Sequence, residues 1–317
     1  MKLAIVGAGA AGGLLAARLA LAGTPAPLLA RRRTLDTLRR DGLTLETPSG
    51  RPLTVHPPVT DDALELGVRD AVLLAVPAHD LANVLEAMAP LVGRGTRLVP
   101  VLGGVPWWYP AGLDGRPLRS LDPGGLLWAA MPPGRVVGAV AGFAVERRAE
   151  GYIRHVGGLT LTLGMAEGTN DGFVEELAAL LGAAGFEAAA GDARAAVWPA
   201  LLAPLAFAPM GFVAGRAPDE LARDADARTV AAAVVEEVRD LAGRLGHAVV
   251  DGLDACIALA QRPGRIRPWP AEGRPEWEAF LDAPVELADR VGAPVPRLRT
   301  VQALVRLCRR GGEALAA

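Results

Sequence analysis

Lysine is almost missing from this 317-residue chain: Lys2 stands alone among 33 Lys and Arg residues. Serine occurs only as Ser49 and Ser120, and asparagine only as Asn83 and Asn170. A base-composition bias toward Arg, Ala, Gly and Pro codons explains such losses on a surface. It does not explain the loss of a lysine that catalysis requires, so any mechanism resting on a lysine beyond residue 2 is excluded. Cysteine is scarce as well. Cys256 and Cys308 are far apart and no secretory leader precedes the first apolar run, which excludes a disulfide framework and predicts a reduced, cytoplasmic setting. Charge of one sign is also lacking. With a net charge of −2 and acids and bases interspersed, nucleic acid and membrane surfaces are excluded as main partners. No metal is predicted. Apolar content, at 51%, is ample for two packed cores at this length.

The most informative stretch is Lys2–Leu15, KLAIVGAGAAGGLL. Leu3–Val6 is apolar and partly β-branched, as a buried strand of a parallel sheet should be. Gly7, Gly9 and Gly12 follow at G-x-G-x-x-G spacing, and Leu14–Ala22 then reads as an Ala/Leu helix. Gly7 permits a sharp turn. Gly9, without a Cβ, lets the backbone approach a pyrophosphate, and Gly12 lets helix and strand pack closely, with the helix N–H groups facing the anion. Strand, glycines and helix in this order predict a dinucleotide held by Gly7, Ala8, Gly9, Ala10, Ala11 and Gly12.

Ala26–Ala30 reads as the second strand and runs into Arg31-Arg32-Arg33. An acidic residue here accepts from the ribose 2′-hydroxyl of NAD, whereas a cation accommodates a 2′-phosphate. A guanidinium binds phosphate in a bidentate way and keeps its charge, so the cofactor is expected to be NADP(H), with Arg31 as the contact. A short helix at 34–40 and a hairpin, Leu43–Thr47 with Arg51–Val55, come next. Ala71–Val76 is a further buried strand, followed by Pro77-Ala78-His79-Asp80. Ligands bind at the C-terminal ends of such strands, which places His79 and Asp80 near chemistry; either could equally begin the helix Leu81–Leu91. Thr96–Val101 leads to Gly103-Gly104 and the aromatic run Trp107-Trp108-Tyr109, a wall for a flat ligand or a packed loop.

Strands are expected at 135–145, 153–163 and 186–190, and a helix at 171–184. From Asp192 onward only helical patterns appear. The fold class is therefore α/β: an N-terminal Rossmann-type doubly wound sheet over residues 1–190, then an all-α substrate or dimerisation domain over 191–317. Between Arg194 and Arg216 lie 21 residues without a charge. The length could span a membrane, but Pro199, Pro204 and Pro209 argue for a buried, kinked helix. Helices are expected at 225–245, 251–261, 276–291 and 297–309, and a Pro/Gly/Arg-rich loop at 262–273.

Taken together, GAGAAG (7–12), LLARRR (28–33), DGLTL (41–45), AVLLAVPAHDL (71–81), GGVPWWY (103–109), ARAAVW (193–198) and PEWEAFLDAPVELADRVGAPVP (275–296) resemble the ketopantoate reductase (2-dehydropantoate 2-reductase) family. The resemblance implies an NADPH-binding Rossmann domain, a helical second domain, and hydride transfer to the ketone of a small 2-oxo acid. It also implies where the site should lie. The family's general-acid lysine falls on Ala200, and its substrate asparagines fall on Pro204, Ala208 and near Pro218. Its serine falls near Gly264, its Rossmann-half lysine on Pro77, and the asparagine beside the nicotinamide on Gly103. Ala144 matches a small residue of the nicotinamide pocket, and the late acidic position is kept as Glu276. Two main readings remain open, with a third beside them. One is an NADPH-dependent reductase of a more apolar carbonyl or imine, its proton donor drawn from Glu276 and His79, with Tyr109 and Asp219 as further candidates. The other is a catalytically inactive NADPH-binding paralogue that acts as sensor, scaffold or subunit; a non-redox reaction on the same fold is a third. Whether the chain forms a homodimer is left open.

Overall fold

The computed structural model of the chain describes residues 1–262, 264–266 and 276–316, with side chains through residue 310. The chain forms two compact units. The first comprises Met1–Leu102, Pro106–Pro117 and Asp122–Arg194; the second comprises Gly103–Val105, Leu118–Leu121 and Ala195–Ala317.

The first unit begins β1 (Leu3–Val6), α1 (Ala10–Leu21), β2 (Leu28–Leu29), α2 (Arg32–Asp41), β3 (Leu43–Glu46), β4 (Pro52–Val55) and β5 (Val59–Thr60). It continues with β6 (Ala71–Leu74), α3 (Leu81–Met88), β7 (Arg97–Pro100), α4 (Leu126–Ala130) and β8 (Val137–Ala141). It closes with β9 (Ala144–Ala149), β10 (Tyr152–Gly157), β11 (Thr160–Met165), α5 (Gly172–Ala183) and β12 (Glu187–Ala190). The parallel sheet has the order β5-β2-β1-β6-β7, a Rossmann-type arrangement whose direction of winding reverses between β1 and β6. Both central strands are completely buried, which is why they read as unbroken apolar runs.

A second sheet, β4-β3-β10-β9, and a third, β12-β11-β8, complete the unit. Helix α1 touches β1 and also β3, β9 and β10, so it is covered by two sheets. Seven of its twelve residues are buried, and its Ala, Leu and Gly composition follows from that.

Two expected strands are each divided. The run at 135–145 breaks into β8 and β9 around Gly142-Phe143, and the run at 153–163 breaks into β10 and β11 around Gly157 and Gly158. The pieces belong to different sheets: β8 pairs with β11, and β9 with β10. Gly158 has φ +72, and a Cβ on Gly142 would stand 2.0 Å from the Thr160 hydroxyl. An unbroken hydrophobic pattern gives no sign that such a glycine switches the chain from one sheet to another. The edge strand β5 and the short helices α4 and α7 (Pro218–Leu221) were not expected.

Helix α6 (Ala193–Ala214) leads into the second unit, which continues with α7, α8 (Ala225–Arg244), α9 (Leu253–Ala260), a π-helical turn at Glu278–Asp282, α10 (Ala283–Val291) and α11 (Pro296–Ala316). The loop expected at 262–273 falls mostly outside the described residues, as does Pro275 of the late motif. Among the described residues α6 is the one helix long and apolar enough to cross a membrane, and most of its apolar window is buried inside the protein. It is a core helix. It runs unbroken through Pro199, Pro204 and Pro209. An interior proline costs roughly 3 kcal/mol, and burying a Leu or Phe side chain returns about 1.5–3 kcal/mol. With Val197, Trp198, Leu201, Leu202, Leu205 and Phe207 all buried, packing and not propensity maintains this helix.

The segment Leu118–Leu121 is tied to α10 by one carboxylate. Glu286 accepts from the backbone N–H groups of Arg119 and Ser120 at 2.9 Å each, from the Ser120 hydroxyl at 2.8 Å, and from Arg290 at 2.7 Å. Burial pushes its pKa up, but these donors more than offset that and hold it below the ordinary value of 4.5. A carboxyl with a depressed folded-state pKa contributes stability above its unfolded value and loses it as pH falls through the folded one. Glu286→Ala should therefore cost about 2–3 kcal/mol in urea unfolding at neutral pH, and the gap to wild type should narrow below the ordinary Glu value. Burial and the neighbouring Asp251 push the Cys256 thiol up to about 11, while Cys308 is exposed. A thiol reagent at pH 8 should titrate Cys308 in the folded protein and both cysteines only after denaturation.

Candidate functional site

The turn after β1 is shaped by two glycines that the fold itself needs. Gly7 has φ +105, and a Cβ there would meet the Ala75 carbonyl at 2.6 Å. A Cβ on Gly12 would stand 1.9 Å from the Gly7 carbonyl oxygen, so helix and strand could not approach. Gly9 is different. Its φ of −76 suits any residue and its Cβ would meet nothing within 4 Å. It is also the N-cap of α1, with no side-chain cap and no acidic residue in the first turn. The first N–H groups of the helix are thus left without a side-chain acceptor. Space at Gly9 and an uncapped, electropositive helix end together fit an anionic group brought against the backbone.

That turn opens onto a groove of about 370 Å³ at the point where the sheet reverses. Gly7, Ala8 and Gly9 line it on one side, Ala75 and Val76 after β6 on another, and Arg31 at the end of β2. Arg31 is extended and exposed, the N-cap of α2, and makes no ion pair among the described residues. Arg32 beside it has φ +51 and is the one non-glycine residue at positive φ among those described.

His79 lies in a 3₁₀ turn, Ala78–Asp80, directly before α3. Its ring is mostly buried: Nδ1 has no hydrogen-bond partner and Nε2 stands 3.8 Å from the Asp80 carboxylate. Asp80 occupies the N-cap of α3 without capping it by its side chain, accepts from Asn83 at 3.3 Å, and lines the groove. Pro77 begins the same turn. Ala144 is buried on β9, paired with Gly157. Trp107, Trp108 and Tyr109 are almost wholly buried, and Trp108 lies against Gly138, so the aromatic run is a packed loop.

The other expected positions belong to the second unit. Gly103 and Gly104 have protein neighbours: a Cβ on Gly103 would stand 2.9 Å from the Phe280 ring, and one on Gly104 2.7 Å from the Ala279 carbonyl. That close packing is sufficient reason for both glycines. On α6, Ala200, Pro204 and Ala208 recur every four residues along one stripe, exposed, half-buried and buried in turn, and none has a polar side chain. Pro218 opens α7, and Asp219 is ion-paired with Arg223 at 2.9 Å. Gly264 lies in a turn at φ +72. Glu276 is half-buried, and its carbonyl accepts from the N–H of Phe280 at 3.1 Å. Among the described residues no group of three His, Cys, Asp or Glu is placed to hold a metal ion.

Three groove residues escaped the sequence reading: Thr34, Asn83 and Arg147. Asn83 and Thr34 have local signals, one turn into a helix that follows a sheet strand. Arg147 has none, because only the pairing of β9 brings it there.

Comparison with known proteins agrees with this arrangement. The ketopantoate reductase PanE/ApbA family matches residues 3–168, and the ketopantoate reductase PanE/ApbA C-terminal family matches residues 192–309. A 2-dehydropantoate 2-reductase of Mesorhizobium japonicum is 37% identical across 96% of this chain and 97% of its own length. One from Halobacterium salinarum is 28% identical across 98% of this chain and its full length. The crystal structure of a provisionally assigned ketopantoate reductase from Ralstonia solanacearum MolK2 superposes with a TM-score of 0.89 at 34% identity, covering 98% of each chain. With both halves matched and the likeness spanning the whole length, the chain belongs to the ketopantoate reductase family.

Proposed function

We propose that the chain binds NADP(H) and reduces the carbonyl or imine of a small substrate more apolar than ketopantoate. The observation that carries the reading is the contrast between two surfaces. The glycine turn and its groove offer an uncapped helix end, room at Gly9 and a cation at Arg31. The stripe of α6 on which the family's acid and two of its substrate amides would fall presents Ala200, Pro204 and Ala208 instead.

In this reading the N–H groups of Ala10, Ala11 and Gly12 hold the pyrophosphate, and Gly9 gives it room. Arg31 pairs with the 2′-phosphate. Ala144 and Gly103 are assigned by resemblance to the nicotinamide end. The bound nicotinamide supplies the hydride. The chain must supply a proton to the reduced oxygen or nitrogen, a contribution of about 10²–10⁴-fold in rate. His79 and Glu276 are the groups assigned to hold that proton. An imidazole can both hold and release a proton, and Nδ1 of His79 lacks a protein partner that would fix its tautomer. A stripe of Ala and Pro cannot hydrogen-bond a hydroxyl and a carboxylate, and a polar substrate left unpaired there loses about 1–3 kcal/mol per group. An apolar substrate loses nothing, which is why the substrate is assigned to that class.

Purified protein should oxidise NADPH with at least one member of a panel of bulky 2-oxo acids, ketones and imines, followed at the reduced-nicotinamide absorbance band, and should be slow with ketopantoate. Binding without turnover across the panel would return the chain to the inactive alternative. Of His79→Ala and Glu276→Gln, the one that removes the proton donor should lower kcat about 10²-fold or more, and the other less than tenfold. Two glycine variants separate fold from ligand. Gly12→Ala should fail to fold, whereas Gly9→Ala should keep the wild-type melting temperature and lose NADPH affinity by about tenfold or more. Equal NADPH affinity in Gly9→Ala and wild type would remove the pyrophosphate assignment.

A further inference from the structure

We propose that Arg147 is a second guanidinium reading the 2′-phosphate, and that Glu150 is an internal anion holding it in place until the phosphate arrives. The inference rests on the NADP(H) reading and adds to it two residues from a different sheet.

The groove that begins at Gly7 and passes Arg31 is lined at its rim by Arg147. Arg147 lies on β9, opposite Ile153 of β10. The Ile153 methyl groups stand 3.2 Å from where a Cβ on Gly13 would be, so this face of the second sheet is the one packed on α1. A side chain emerging from it beside the start of α1 therefore reaches the mouth of the groove. The Arg147 side chain is 42% exposed.

Its local partner is Glu150, in the turn between β9 and β10. The two carboxylate oxygens are divided: Oε1 stands 3.6 Å from Arg147 Nη1, and Oε2 accepts from the Thr34 hydroxyl at 2.5 Å. Thr34 lines the same groove and lies three residues after Arg31, although 116 residues separate it from Glu150. The Thr34–Glu150 bond thus ties the start of α2, next to Arg31, to the turn that follows Arg147 on β9. Arg32, at φ +51, is the first residue of α2, and a strained backbone persists only where surrounding contacts over-determine it.

The paired guanidiniums identify the ligand. Arg31 and Arg147 are the groove's two cations, set against Glu150 beside Arg147 and Asp80 on the β6 side. A phosphate monoester is close to a dianion at neutral pH and accepts from both guanidiniums, whereas a ribose 2′-hydroxyl offers them little. The Arg147–Glu150 ion pair, at 3.6 Å, is longer than a hydrogen bond. A phosphate that takes the place of Glu150 there accepts a charge-assisted hydrogen bond from the guanidinium. Glu150 competes with the ligand and so sets how strongly NADPH is preferred over NADH.

The test is equilibrium binding to the full chain, by intrinsic fluorescence and calorimetry, with NADPH, NADH, 2′,5′-ADP and 5′-AMP at two salt concentrations. Arg147→Ala should weaken NADPH and 2′,5′-ADP about tenfold while NADH and 5′-AMP change less than about twofold. Arg147→Lys should recover part of the loss, since it keeps the charge but not the fork. Glu150→Gln should tighten NADPH by about twofold to threefold, more at low salt. Equal losses for NADPH and NADH in Arg147→Ala, or a Glu150→Gln protein that binds NADPH more weakly, would overturn the inference. The two levels of the argument fail separately. A wild-type protein without preference for NADPH removes the cofactor reading and this inference with it. A wild type that prefers NADPH, loses that preference in Arg31→Ala and keeps it in Arg147→Ala removes this inference alone.

Discussion

The carbonyl oxygen of Gly7 and the backbone of Gly12 approach so closely that no side chain fits between them. This contact sets the angle at which α1 leaves β1. It also fixes where the N-terminal end of the helix points, and the rest of the first unit is arranged around it. A helix held that near its own strand must be small-sided on that flank. Because a second sheet covers its other surfaces, it must be apolar there too, as the Gly13–Ile153 contact shows. Steric demand on one residue thus propagates into the composition of twelve.

The same packing explains why the groove is made mostly of backbone. The turn residues are held by the strand–helix contact, and their N–H groups are preorganised without any polar side chain to place them. A site of this kind survives wholesale change in composition, since a bias toward Ala, Gly, Pro and Arg leaves its glycines intact. Sites made of side chains have no such protection. The stripe on α6 at Ala200, Pro204 and Ala208 carries no polar side chain.

Much of this arrangement was legible because it is local. The buried strands β1 and β6 are unbroken apolar runs, the glycine spacing lies within six consecutive residues, and α6 is marked by its missing charges. The failures share one cause. Gly142, Gly157 and Gly158 interrupt strands without interrupting their hydrophobicity, so the change of sheet is invisible until pairing is known. At Gly103 and Gly104 the sequence could not distinguish close approach to a helix from close approach to a cofactor, because both demand the same residue. Arg147 was anonymous among neighbouring arginines, and Glu150 looked like an ordinary turn residue.

The sequence by itself determined the Rossmann-type turn, the cation that follows β2, the helical second half and the lack of any lysine beyond residue 2, because each depends on residues a few positions apart or on a residue type almost absent from the chain. Only the tertiary structure decided which cations share the groove with Arg31, which glycines belong to the fold and which leave room for a ligand. Those outcomes depend on contacts between segments brought together by the fold, as Thr34 and Glu150 are across 116 residues, and strand pairing, not any local pattern, places them.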